Sequence, residues 1–210
     1  MELSSSPLPI DHQFRESGYS VLAGVDEAGR GPLAGPVFAA AVILPPGNSL
    51  PGILDSKKFS PARREELYEE IISEAVAWSF ASIDNTIIDR VNILQASMKA
   101  MVEAVRNLSA TPEMILVDGP HTPFVDSGSR ALKKGDGISQ SIGAASILAK
   151  VRRDHAMLRY HDQYPQYGFA RHKGYGTREH LEAIAEYGPC PIHRVTFARV
   201  REFVKRMPGD

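Results

Sequence analysis

"GVDEAGRGPLAGPV", Gly24–Val37, decides the fold. It continues the apolar run "SVLA" and then sets Asp26 and Glu27 side by side. Four glycines and two prolines follow or flank them, around one arginine, Arg30. An unpaired carboxylate in a core costs on the order of several kcal/mol unless a cation or hydrogen bonds compensate it. Stability alone therefore does not explain two acids at the end of a buried strand.

Outward from this segment, apolar stretches and turn residues lay out the elements. "SVLAGVDEA" (Ser20–Ala28) and "PVFAAAVILP" (Pro36–Pro45) read as buried strands, and "PPGNSLPG" as a loop. Ser60 before Pro61 is an N-cap opening a helix, "PARREELYEEIISEA". "VAWSFASI" (Val76–Ile83) returns as a strand, and a helical pattern runs from Ile87 to about Leu108. "EMILVDG" (Glu113–Gly119) is a short strand ending in an acid and a glycine, and "RALKK" (Arg130–Lys134) is a further strand. Ile138–Tyr164 repeats at helical spacing, and shorter helices are expected at Thr177–Tyr187 and Thr196–Val204. Residues 1–18, rich in Ser and Pro, read as a flexible arm, and residues 19–210 as one α/β domain with a helical C-terminal portion.

The composition fits such a domain. Of 210 residues, 43% are hydrophobic and 23% charged, enough for one real core. No apolar run is long enough to span a membrane, and the N-terminus lacks a signal-peptide pattern. One cysteine, Cys190, excludes an intrachain disulfide, which suits a reducing, cytoplasmic setting. The net charge of −1 conceals an asymmetry: residues 1–129 hold 9 Lys/Arg against 17 Asp/Glu, and residues 130–210 hold 15 against 8. Composition alone makes this the ordinary mixed charge of solvated helices; motifs must turn it into a polyanion-binding face.

The acids supply that motif. Asp26 and Glu27 end one strand, Asp118 ends another, and Asp136 in "KKGDG" precedes a long helix. Ligands collect at strand ends in open α/β sheets, and a helix N-terminus favours negative charge. Singly, each acid is met by a salt bridge or a turn; together, without His or Cys, they suit Mg²⁺ or Mn²⁺. Adjacent strand residues face opposite ways, so the strand is expected to end at Asp26, with Glu27 turning with the glycines or offering its backbone carbonyl. Asp154, beside Arg152 and Arg153, reads as a structural ion pair. Gly29 and Gly31 leave the backbone open, Arg30, Lys57 and Lys58 offer charge for phosphates, and "ARHKGYGTREH" joins bases to a stacking aromatic, Tyr175. "GRGPLAG" lacks the dinucleotide spacing, and Cys190 between two prolines reads as loop.

The ordered set "GVDEAGRGPLAGPV", "DSKKFSPARREEL", "ILVDG", "KKGDGISQSIGAASILAKVRRD" and "YPQYGFARHKGYGTREHLEAIAEYGPCPIHRVTF" resembles the ribonuclease HII (type 2 ribonuclease H) family over most of the chain. The resemblance implies a ribonuclease H-like mixed sheet flanked by helices. It implies cleavage of the RNA strand of RNA–DNA hybrids and incision at single ribonucleotides in duplex DNA, leaving 5′-phosphate and 3′-hydroxyl ends. It puts the four acidic positions on Asp26, Glu27, Asp118 and Asp136, which would hold two Mg²⁺ or Mn²⁺ ions. Asp136 either completes the second ion's shell or assists product release. The family's Gly-Arg-Gly segment falls on Gly29, Arg30 and Gly31, and its junction-sensing tyrosine on Tyr175. Lys57, Lys58, Lys150, Arg171 and Lys173 would track phosphates. The chain is expected to act as a monomer; "KRMPGD" shows no clamp-docking motif, and no obligate protein partner is implied.

Overall fold

The computed structural model describes residues 10–47, 50, 53–54, 59–125 and 128–204. The two apolar stretches around the opening motif form β1 (Leu22–Ala28) and β2 (Val37–Ile43), paired antiparallel with Gly24 opposite Val42 and Asp26 opposite Ala40. β3 (Ala77–Ile83) extends the sheet antiparallel to β2. β4 (Met114–Asp118) lies parallel to β1 on its other side, and β5 (Ser129–Leu132) lies parallel to β4. The order is β3-β2-β1-β4-β5, a mixed sheet of five strands.

Alternation along the strands divides two cores. Ala40, Val42, Trp78 and Phe80 face α2 (Pro61–Glu74) and α5 (Gln140–Gln163). Val25, Ala39, Ala41, Ile115 and Val117 face α4 (Ile93–Arg106). Gly24 is what lets α5 lie on β1: a Cβ there would fall 2.0 Å from the Ser141 carbonyl carbon. A third cluster, including Tyr167, Phe169, Ile184 and Val200, packs the C-terminal helices α6 (Phe169–His172), α7 (Arg178–Tyr187) and α8 (Ala198–Val204). An isolated bridge between Ala34 and His193 ties that part to the turn after β1.

Three expectations are corrected. The stretch expected as a loose arm contains α1 (Ile10–Glu16); its buried Asp11 accepts hydrogen bonds from Gln140 N at 2.9 Å and Ser141 N at 3.0 Å, capping α5. Residues 1–9 lie outside the described residues. The helix expected over Ile87–Leu108 is two, α3 (Asn85–Val91) and α4, because Asn92 takes φ +72° and its Oδ1 caps Gln95 N at 3.1 Å. Third, β1 does not end at Asp26: Glu27 and Ala28 stay paired, opposite Ala39 and Phe38. The sheet ladder holds them there, and the chain turns only at Gly29.

Candidate active site

The ends of β1 and β4 bring the key acids together. Val25 and Val117 are register partners on parallel strands, so Asp26 and Asp118 follow as neighbours on the face that receives α5. Strand spacing places such neighbours about 5 Å apart. Asp26 is buried, and its Oδ1 accepts the Glu27 amide at 2.7 Å. Asp118 Oδ1 accepts the Gly135 amide at 2.6 Å, which docks the 3₁₀ turn Gly135–Gly137 and its buried Asp136 beside β4. Asp136 thus sits in a turn ahead of α5, whose N-cap is Ser139.

Burial and neighbouring carboxylates work against the charged forms of Asp26 and Glu27. Burial, then the Glu27 and Asp118 carboxylates, push Asp26 well above the usual carboxylate range, against the nearby Ser146 hydroxyl. Burial also raises Glu27, although Arg30 opposes it through an ion pair at 3.0 Å. Among the described residues, no three His, Cys, Asp or Glu side chains stand together in a geometry that could hold a metal ion. The donor set nonetheless fits a hard divalent cation: oxygen ligands on adjacent strand ends, with a buried excess of negative charge that a cation would relieve.

Beside these acids opens a cleft of about 440 Å³, lined by Glu27, the Ala28–Gly31 turn, Arg64, Ser146, Ile147, Lys150 and Tyr175. Asp26, Asp118 and Asp136 do not line it; Ser146 connects its wall to Asp26. Tyr175 is 45% exposed, with its Cε1 only 3.5 Å from where a Cβ on Gly31 would lie. A second hollow of about 270 Å³ shares Arg64 and Lys150 with the cleft and continues to Arg171 and Lys173.

The basic residues are unequal. Lys150 Nζ contacts both Asp154 oxygens, at 2.6 and 2.7 Å, and burial lowers its pKa. Asp154 is therefore ion-paired as expected, but with Lys150: Arg152 lies over the Phe80 ring at 4.0 Å, and Arg153 is buried under the turn after β1. Arg171 pairs with Glu179, and Lys173 Nζ donates to the Ala170 carbonyl. Lys57 and Lys58 lie outside the described residues. Arg64 and Ser146 escape the sequence reading. Arg64 hides in a charged helix face, whereas Ser146 shares one face of α5 with Lys150 at i,i+4, a signal that was present.

Comparison with known proteins identifies the family. A family model described as ribonuclease HII matches residues 23–200. A ribonuclease HII of Geotalea daltonii is 55% identical over 202 residues, covering 96% of this chain and 94% of that protein. The crystal structure of the ribonuclease H2 from Pyrococcus horikoshii superposes with a TM-score of 0.76 at 27% identity, over 89% of this chain and 98% of that one. A ribonuclease HII of Archaeoglobus fulgidus, solved in complex with PCNA, superposes at 0.71 with 26% identity, over 84% and 95%. With its acids gathered at two parallel strand ends and its sequence matched almost end to end, the chain belongs to the ribonuclease HII family, the metal-dependent type 2 ribonucleases H.

Proposed function

We propose that this enzyme, beyond degrading the RNA of RNA–DNA hybrids, incises duplex DNA at a single embedded ribonucleotide and leaves 5′-phosphate and 3′-hydroxyl ends. The observation that supports this most is the adjacency of Asp26 and Asp118 next to a cleft walled by an open glycine turn, Tyr175 and two cations.

Asp26 and Asp118, with Glu27 and Asp136, would hold divalent ions, Mg²⁺ or Mn²⁺. Bound there, such ions lower the pKa of a water and stabilise the departing oxygen. The protein's own groups do the rest. Ser146 and the Glu27 amide hold the Asp26 carboxylate in place. Gly135 N fixes Asp118 and thereby the turn carrying Asp136. To serve as a ligand, Glu27 would have to leave Arg30, 3.0 Å away, and that guanidinium would then be free for a phosphate. The amides of the Gly29–Gly31 turn donate to the 2′-hydroxyl, the group that separates RNA from DNA at one nucleotide. Tyr175 stacks on the next sugar. Arg64 and Lys150 take phosphates across the cleft. We read the protein as a monomer without an obligate partner; the PCNA complex belongs to the Archaeoglobus relative.

The test uses two duplexes, one with a single ribonucleotide and one with four, each incubated with Mg²⁺. Nicking of both, with ligatable ends, is the expected result. Cutting of the four-ribonucleotide duplex alone would leave a hybrid-degrading enzyme and remove the single-ribonucleotide activity.

A further inference from the structure

Two arginines lie fully inside the protein behind the cleft, with no carboxylate partner among the described residues. Arg194 is 0% and Arg153 1% exposed. Every bond they make goes to a main-chain carbonyl. Arg194 donates to Gly29 O at 2.6 Å, to Arg30 O at 3.0 Å, and twice to Gly35 O at 3.0 and 2.9 Å. Arg153 donates to Pro36 O and Ala34 O, both at 3.2 Å, and to Lys173 O at 3.0 Å. The Leu33 carbonyl accepts from Arg194 N at 2.8 Å.

The turn after β1 is thus held by its oxygens. The carbonyls of Gly29, Arg30, Leu33, Ala34, Gly35 and Pro36 point inward to two guanidiniums and one amide. Gly29 must be glycine for this: at φ +101° a Cβ would lie 2.1 Å from Arg153 Nε. The amides of Leu33 and Gly35 also bond inward, to Gly174 O and Ile192 O, each at 2.8 Å. The amides of Arg30 and Gly31 find no acceptor among the described residues, and both residues line the cleft. A peptide whose carbonyl is drawn one way presents the next residue's N–H the other way. Binding Gly29 O therefore aims Arg30 N, and binding Arg30 O aims Gly31 N, away from Arg194.

We propose that Arg194 is a specificity-determining positioning residue: from outside the cleft it turns the Gly29 and Arg30 peptides so that the Arg30 and Gly31 amides face the ribose 2′-hydroxyl and the adjoining phosphate. This rests on the single-ribonucleotide recognition proposed above. The planar guanidinium makes four bonds to three carbonyls from three spread nitrogens; an ammonium keeps the charge but gathers its three donors on one atom and loses the fork. Burial and the neighbouring Arg153 pull Arg194 down to about 9, against the more distant Asp89 carboxylate. The two guanidiniums also leave a positive field behind the turn, which a phosphodiester in the cleft meets through the turn.

The test is a ratio. Dissociation constants are measured with Ca²⁺ in place of Mg²⁺ for two duplexes identical except for one 2′-hydroxyl. Wild type is expected to prefer the ribonucleotide duplex, and Arg194→Lys to lose about tenfold of that preference, the worth of one well-placed hydrogen bond. A merely structural role lowers the active fraction and weakens both duplexes equally, leaving the ratio unchanged; that result overturns the proposal while recognition of the 2′-hydroxyl stands. No preference in wild type removes the recognition itself. Should Arg194→Lys fail to fold, wild-type amide resonances decide. Shifts at Arg30 and Gly31 that appear with the ribonucleotide duplex and not with the all-DNA duplex support the proposal, and identical shifts with both overturn it.

Discussion

Asp26, near the end of β1, and Arg153 and Arg194, beneath the turn that follows it, are all buried, yet the protein treats them differently. Asp26 lies among carboxylates, and burial, then Glu27 and Asp118, raise its pKa against the Ser146 hydroxyl and the Glu27 amide. Arg194 and Arg153 also lack a counter-ion, but seven hydrogen bonds to carbonyls satisfy them. Beside them, His180 and His193 are kept neutral in a relay. His193 Nδ1 accepts Cys190 N at 2.9 Å, the two Nε2 atoms meet at 3.0 Å, and His180 Nδ1 meets Tyr175 O at 2.9 Å. The Cys190 N–H at one end and the Tyr175 carbonyl at the other suit Nε2–H on His193 and Nδ1–H on His180. A buried charge left unsatisfied marks a place where something else must bind; one fully satisfied marks a scaffold.

The sharpest way to break this contrast is Asp26→Asn. On the proposed assignment it lowers cleavage by more than about 100-fold, beyond the usual loss from an outer-shell change. The same substitution removes a buried, repelled carboxylate, so the metal-free protein should gain stability. Each kcal/mol of relief raises the melting temperature by about 2–4 °C in a chain of this size. Addition of Mg²⁺ should stabilise wild type and leave the variant unmoved. Thermal melts with and without EDTA check both; an Asp26→Asn protein that melts below metal-free wild type would show Asp26 to be structural.

The second prediction uses opposite signs of pH dependence. His180 and His193 are drawn down to about 4, chiefly by burial. An unfolded imidazole binds its proton near pH 6.5, so the unfolded state holds more protons between about pH 6.5 and 4. Stability from this pair is therefore complete above about pH 6.5 and lost as pH falls towards 4, by up to about 3 kcal/mol per imidazole. Asp26 and Glu27 act the other way: their raised pKa values mean that acid relieves their repulsion. In Asp26→Asn that relief is absent, so stability should fall more steeply from pH 7 to 5 than in wild type. Urea midpoints at the two pH values measure it; equal slopes would dissolve the distinction between the two regions.

How much of this the sequence discloses follows the same division. The sheet was legible because its strands are apolar runs ended by turn residues, and the acids because they interrupt those runs. Chain separation hid the rest. Arg153 and Arg194 sit 41 positions apart and meet on one turn more than a hundred residues earlier. Beside Asp154, Arg153 looked like an ion pair; only the packing of α5 on β1 carries it under Gly29 instead. Asn92 reads as an ordinary helical residue until its left-handed backbone splits α3 from α4. α1 was hidden because its anchor, Asp11, caps a helix that begins 129 residues later.

The smallest expected effect lies between the two regions, at Lys150. It lines the cleft from α5 yet is already held by Asp154, so only part of its charge is open to a phosphate. Removing one full phosphate contact lowers the salt slope of binding by about 0.9. Lys150→Ala should lower it by less, because an ammonium already paired with Asp154 releases less counterion when it meets a phosphate. Lys150→Ala combined with Asp154→Asn should recover part of the affinity lost in the single variant. Arg64→Ala, with no ion pair to a described carboxylate, should show the fuller change in slope. Titrations of a labelled duplex between 50 and 200 mM salt, a range over which a few phosphate contacts are readily resolved, measure all three. Equal slopes for Lys150→Ala and Arg64→Ala would mean that the substrate displaces Asp154 on binding, and that this ion pair belongs with the unsatisfied charges of the cleft.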